Sequence, residues 1–128
     1  MDAFVAAQTL LFDFENRLRL ATLTANEPFL FCTKAGKENY MGVMSWSLKG
    51  FVKALKTVDV KAVEFHNNRG DFESWVEHSL QDKVLARQLK EIRVSKQKGE
   101  ALRKAVLDVA KKRFKKLSAD VQAAVKLF

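Results

Sequence analysis

The sequence contains one cysteine, one proline and no long apolar run. A single cysteine, Cys32, excludes an internal disulfide framework and a zinc site built from several cysteines. A single proline and the lack of low-complexity linkers or internal repeats indicate no domain boundary, so we expect residues 1–128 to form one domain. No apolar run approaches the ~20 residues that a membrane helix needs. Acids interrupt the apolar N-terminal stretch, unlike in a signal peptide, so we expect a soluble, cytoplasmic protein with no membrane partner.

Groups that would support catalysis are also scarce. The five glycines form no phosphate-cradling loop, which leaves nucleotide-dependent chemistry without support. A metal site formed by His66, His78 and the acids between residues 71 and 77 competes with the interpretation of solvated polar side chains, which we favour. We expect His66 to pack beside a turn and bond the backbone, and Cys32 to be a small buried thiol. The sequence therefore predicts no catalytic residue, no metal, no cofactor and no enzymatic activity.

The positive charge is concentrated in one segment of the chain. The net charge is +8, but residues 83–116 carry 13 basic and 3 acidic side chains, a net +10, whereas residues 1–82 carry a net −2. A basic segment of this kind indicates an anionic partner and says nothing about the fold.

Apolar periodicity predicts a mainly α protein, a bundle of about five helices around one core, with a short β-hairpin near residues 29–44. The first helix, Asp2 to Thr24, is apolar on two sides, which is typical of burial between two layers or of a homodimer seam. Ser47 is predicted to cap a helix that runs to Lys56. The stretch from Val60 to Phe65 is too short to assign from its period.

The stretch that follows is predicted to be a turn and then a helix. Asn67, Asn68 and Gly70 tolerate turn conformations, and Asp71 is predicted to be the N-cap of an amphipathic helix. The next helix is expected to break between Ser95 and Gly99.

The last helix, predicted from Gly99 to Lys116, has lysines on one side. At ~100° per residue the apolar residues span about 160°, and the opposite side carries Lys104, Lys111, Lys112, Lys115 and Lys116. Lysine suits attraction to phosphates, and no aromatic side chain is interleaved on this side, which argues against a stacking platform for single strands. The alternative is that these lysines only complement the helix dipole and maintain solubility. We predict a nucleic-acid site that is non-specific and sensitive to salt.

Arg113 falls inside the apolar arc of that helix. It must extend its charge to water, pair with an acid from residues 1–82, or mark a partner surface.

The C-terminal residues 118–128 form a candidate docking tail. Ser118 is predicted to cap a last short helix. Gln122, Val125 and Phe128 have the spacing Gln-x-x-aliphatic-x-x-aromatic, which resembles sliding-clamp binding tails. Val125 stands where such tails have Leu, Ile or Met, and the second aromatic is absent. The favoured alternative is an amphipathic helix that closes the core.

Four motifs follow one another in the middle of the chain: Ser-Leu-Lys at 47–49, Phe-His at 65–66, Asp-Phe-x-x-Trp at 71–75 and Leu-x-Asp-x-x-Leu-Ala at 80–86. Together they resemble a family of small, largely archaeal prokaryotic domains of unknown function. With "PFLF" and "YMG" upstream, the resemblance covers roughly residues 28–90, leaving out the first helix and the basic last helix. Some relatives are appended to sugar-transferring enzymes, so the resemblance implies an accessory domain.

The sequence thus favours a non-enzymatic accessory protein that binds a polyanion, nucleic acid in particular, through its lysine-rich helix face. The alternative is a protein–protein adaptor or homo-oligomerisation module that uses the first helix, or a sliding-clamp partner that uses the tail. An enzyme centred on His66 is the least favoured class.

Overall fold

The computed structural model describes residues 25–126, except for the side chains of residues 124 and 125. These residues form two strands and five α-helices: β1 (Phe29–Cys32), β2 (Tyr40–Ser45), α1 (Leu48–Thr57), α2 (Val60–Arg69), α3 (Asp71–His78), α4 (Lys83–Val94) and α5 (Gly99–Val125). The prediction of a mainly α fold with a short hairpin is confirmed. The first helix predicted before Ala25, and the homodimer seam assigned to it, lie outside the described residues. None of the described helices has the length and apolar character needed to cross a bilayer.

The two strands form an antiparallel hairpin with one buried face. Phe29 lies opposite Ser45 and Leu30 opposite Met44, and the register shifts before Cys32. Side chains alternate along β1, so Phe29 is buried while Leu30 is exposed. The buried face packs on α1 and α2.

An aromatic cluster joins the hairpin to three of the helices. The ring of Phe29 lies with its centroid 4.7 to 5.9 Å from the rings of Phe31, Phe51, His66, Phe72 and Trp75. Trp75 also donates its indole N–H to the carbonyl of Glu27 at 2.8 Å, which fixes the chain just before β1. Edge-to-face pairs of this kind add to the free energy gained from burying the rings.

Helices α1 and α2 each begin after a short polar side chain that caps them. Ser47 accepts a hydrogen bond from the Gly50 N–H at 3.0 Å, which confirms the cap predicted for α1. Asp59 caps α2 in the same way, accepting from the Lys61 N–H at 2.9 Å.

The last helix, α5, packs against α1, α2 and α4. Its predicted apolar face is confirmed, because Leu102, Val106 and Ala110 are fully buried at successive i, i+4 positions. The predicted break before Ser118 is wrong, since α5 continues without interruption to its end at residue 125. Leu117 is 1% exposed and holds this part of the helix on the core, and the Lys116–Asp120 ion pair at 3.0 Å spans the expected break.

The turn predicted at Asn67 and Asn68 is also wrong, because both residues belong to the last turn of α2. Gly70 ends α2 in the left-handed conformation with φ 74° and begins α3 directly, so the turn is a single residue. Asp71 makes no capping hydrogen bond, and the N-cap position of α3 is Gly70.

A buried ion pair fixes α5 against α4. The Asp82 side chain is 2% exposed and accepts hydrogen bonds from the backbone N–H groups of Val84 and Leu85 at 3.1 and 3.2 Å, which caps α4. Its second oxygen accepts from the Arg113 guanidinium at 2.8 Å. Of the three alternatives for Arg113, pairing with an acid from residues 1–82 is therefore the correct one.

We expect Asp82→Ala to cost ~3–5 kcal/mol of stability, because it leaves the Arg113 charge without its partner and removes the α4 cap. The matched control is Asp59→Ala, which removes an exposed cap with a single backbone bond and should cost ~1 kcal/mol. Urea denaturation of both variants measures the difference. Equal losses in the two variants would contradict the structural role given to the Asp82–Arg113 pair.

Candidate polyanion-binding groove

Helix α1 has one buried and one lysine-bearing side. The Ser47 cap starts the helix so that Leu48, Phe51 and Leu55 point into the core. The three lysines of α1, at positions 49, 53 and 56, follow the i, i+4, i+7 spacing and are all exposed. They therefore share the solvent side of the helix.

A groove forms where this side of α1 meets α5. Its volume is about 340 Å³, and we call it the lysine groove, defined by the residues that line it: Lys49, Val52, Lys53, Lys56, Lys111, Phe114 and Lys115. Val52 and Phe114 form the apolar floor, and both pack against the core. The five lysines come from two helices that are far apart in the sequence.

The charges that line the groove are all of one sign. No carboxylate lines it among the described residues. A concave surface lined by five lysine side chains concentrates positive potential and attracts anions.

Two of the five lysines predicted as binding residues lie in this groove. Lys111 and Lys115 line it, whereas Lys104, Lys112 and Lys116 are exposed on α5 outside its lining. Lys116 forms an ion pair with Asp120.

Sequence reasoning missed the other half of the groove. Lys49, Lys53 and Lys56 lie within residues 1–82, whose net charge is negative, so counting charge by segment concealed them. Their i, i+4, i+7 spacing opposite the apolar face of α1 is the signal that could have identified them.

An aromatic side chain lies beside lysines in the folded protein although it does not belong to the lysine side of α5. Phe114 is on the apolar face of α5, as predicted, and packs against the core. It lines the groove together with lysines of α1, a neighbourhood that the pattern of α5 alone does not indicate.

The predicted docking tail is described only in part. Gln122 is exposed on the last turns of α5. The side chain of Val125 and all of Phe128 lie outside the described residues, so their predicted role in clamp binding stays a prediction.

Both ring nitrogens of His66 form hydrogen bonds, and these bonds link α2 to β1 and to α3. Its Nε2 atom accepts a hydrogen bond from the Cys32 backbone N–H at 2.8 Å, so the proton lies on Nδ1, which donates to the Asp71 carboxylate at 2.8 Å. The residue is 4% exposed. Burial lowers the pKa of His66, and the Asp71 carboxylate opposes this effect only in part. The prediction that His66 packs beside the turn and bonds the backbone is confirmed.

The residues near His66 that were candidates for catalysis or metal binding have other surroundings in the structure. Cys32 contacts His66 through its backbone amide, which occupies the ring nitrogen that a thiol would need as a base. Glu73 forms an ion pair with Arg93, and His78 is exposed at the end of α3. Within the described residues, no three His, Cys, Asp or Glu side chains lie close enough to hold a metal ion.

The lowered pKa of His66 predicts that the protein loses stability in weak acid. The unfolded chain takes up the proton near pH 6.5, before the folded protein does, so the free energy of unfolding should fall as the pH drops below 6.5. One proton limits the slope to ~1.4 kcal/mol per pH unit. Urea denaturation at several pH values from 7.5 to 5 measures it.

In His66→Gln this contribution to the slope should disappear, whereas His78→Gln should retain it because His78 is exposed. An unchanged slope in His66→Gln would show that another group is responsible.

Comparison with known proteins identifies one similarity. Residues 64–127 match a family described as "Family of unknown function (DUF5752)". The match confirms the resemblance to an uncharacterised family, but it includes α5, which that resemblance left out. Neither a curated protein nor a solved structure matches the chain.

Proposed function

Since the chain belongs to this family of unknown function, we propose its function from its own geometry: a non-enzymatic accessory protein that binds nucleic acid. The observation that supports this proposal is the lysine groove, in which α1 and α5 together present five lysines and, among the described residues, no acid. Nucleic acids carry regularly spaced phosphates that such a surface attracts. Lysine acts as a point charge and does not read base edges, so the binding is independent of sequence.

The exposed lysines of α5 outside the groove enlarge the positive surface. Lys104 precedes Lys111 by two helical turns and lies on the same side of the helix. Lys112 is exposed next to Lys111. These residues add long-range attraction, while the groove supplies the close contacts.

Binding should weaken steeply with salt. If all five groove lysines neutralise phosphates, the logarithm of the association constant falls against the logarithm of salt concentration with a slope of about −4.5 on duplex DNA. This slope can be measured by gel shift or fluorescence anisotropy with DNA and RNA oligonucleotides. The titrations are repeated at salt concentrations from about 50 to about 200 mM.

The Lys53→Gln/Lys111→Gln double variant should reduce the magnitude of that slope by about two. The matched control, Lys83→Gln/Lys90→Gln, removes two exposed lysines from α4 outside the groove and should leave the slope nearly unchanged. No binding at low salt, or an equal effect of the two double variants, would reject the groove as the binding site.

A second candidate function is protein–protein contact, and the outer face of the hairpin favours it. Leu30 and Met44 lie directly opposite each other and are 45% and 48% exposed. Tyr40 and Trp46 are exposed nearby in the chain. An outward-facing apolar surface on a two-stranded sheet is suited to contact with a second copy of the chain.

If this face mediates self-association, the sedimentation coefficient of the wild-type protein should rise with concentration. Leu30→Lys/Met44→Lys should remove that rise, whereas Val94→Lys, which changes an exposed valine on α4, should not. A protein that stays monomeric over the whole concentration range excludes self-association through this face.

The sliding-clamp role of Gln122, Val125 and Phe128, the cytoplasmic location, and the archaeal source and link to sugar-transferring enzymes implied by the resemblance are further proposals that rest on sequence alone.

A further inference from the structure

We propose that the lysine groove prefers single-stranded nucleic acid and that an unpaired base lies against the ring of Phe114. This inference rests on the proposed function and adds to it the class of nucleic acid. It follows from the presence of an aromatic side chain in a groove that is lined by lysines from two helices.

The ring of Phe114 is partly exposed within the groove. It packs against the core and lines the groove together with lysines of α1 and of α5. The rings around Phe29 contact one another, edge to face or tilted, but Phe114 makes no ring contact with another described residue. A ring placed in this way can stack on a base of any identity.

A duplex cannot use this ring. Its bases are stacked on one another and its phosphates lie outermost, so it can contact the lysines at the rim but not the floor. A single strand can place its phosphates on the lysines and turn one base inward.

The dimensions of the groove fit a short piece of single strand. Lys49 and Lys56 are seven residues apart, ~10 Å along α1 at 1.5 Å per residue. At the 3.4 Å spacing of one duplex strand that length spans about three nucleotides, and an unstacked single strand, which extends further per nucleotide, spans it with fewer.

The floor of the groove argues against an acidic peptide as the ligand. An amphipathic helix binds through a row of apolar anchors at i, i+3 or i+4, and i+7. The groove offers two apolar side chains, Val52 and Phe114, and its volume of about 340 Å³ lies at the lower end of small-ligand pockets. One planar group fits this floor better than a row of side chains.

The test compares a single-stranded oligonucleotide with its duplex, by anisotropy at one low salt concentration, for wild type and Phe114→Leu. Wild type should bind the single strand more tightly than the duplex. Phe114→Leu should weaken single-strand binding by about 5- to 150-fold, the range of one lost stacking contact. Its duplex binding should not change, which also shows that the variant is folded.

Phe65→Leu is the matched control, because Phe65 is also partly buried but lies on α2 outside the groove. It should leave both affinities unchanged. A helical Glu-rich peptide, titrated in the same assay, probes the competing class of ligand.

The outcomes separate this inference from the proposed function. Equal affinity for single strand and duplex, or no effect of Phe114→Leu, overturns the inference, whereas a salt slope that depends on Lys53 and Lys111 keeps the proposed function. No binding of either nucleic acid overturns both. Tighter binding of the acidic peptide assigns the groove to a protein partner and also overturns both.

Discussion

The ion pair between Asp82 and Arg113 fixes, together with the buried apolar side of α5, which side of that helix faces α1. Arg113 lies two residues from both Lys111 and Lys115, which is ~200° around the helix from each. When Asp82 binds Arg113 on the α4 side, the two lysines are directed away from α4 and into the groove. The same carboxylate caps α4, so one buried acid fixes both the start of one helix and the rotation of another. The positive surface thus depends on a negative charge in the interior.

The features that sequence reasoning identified correctly are those set by local chemistry. The hairpin follows from Pro28, the short apolar run and Gly36, and α1 begins at a serine that caps it. The apolar face of α5 follows from its helical period. The need of Arg113 for an acidic partner also followed from its place in an apolar arc, although the sequence could not name Asp82.

The features that it missed depend on tertiary contacts or on residues that only look like capping signals. Asp71 has the sequence context of an N-cap, but its carboxylate binds an imidazole five residues earlier, in the preceding helix. Lys53 and Lys111 are 58 residues apart and lie in segments of opposite net charge, so no local pattern indicates that they share a groove. Ser118 has the sequence context of an N-cap, which predicts a new helix after Leu117. In the structure Ser118 and its neighbours continue α5.

The division of the groove between α1 and α5 links ligand binding to folding. An unfolded chain carries the same lysines but does not bring those of α1 and α5 together around one groove. A ligand that needs both rows binds the folded chain and shifts the folding equilibrium by mass action, by about 2.7 kcal/mol at a hundred times its dissociation constant. The mutual repulsion of the five lysine charges opposes folding of the free protein, and the attraction of a bound anion to all five would offset it. A protein with an anion bound in the groove would therefore be more stable than the free protein.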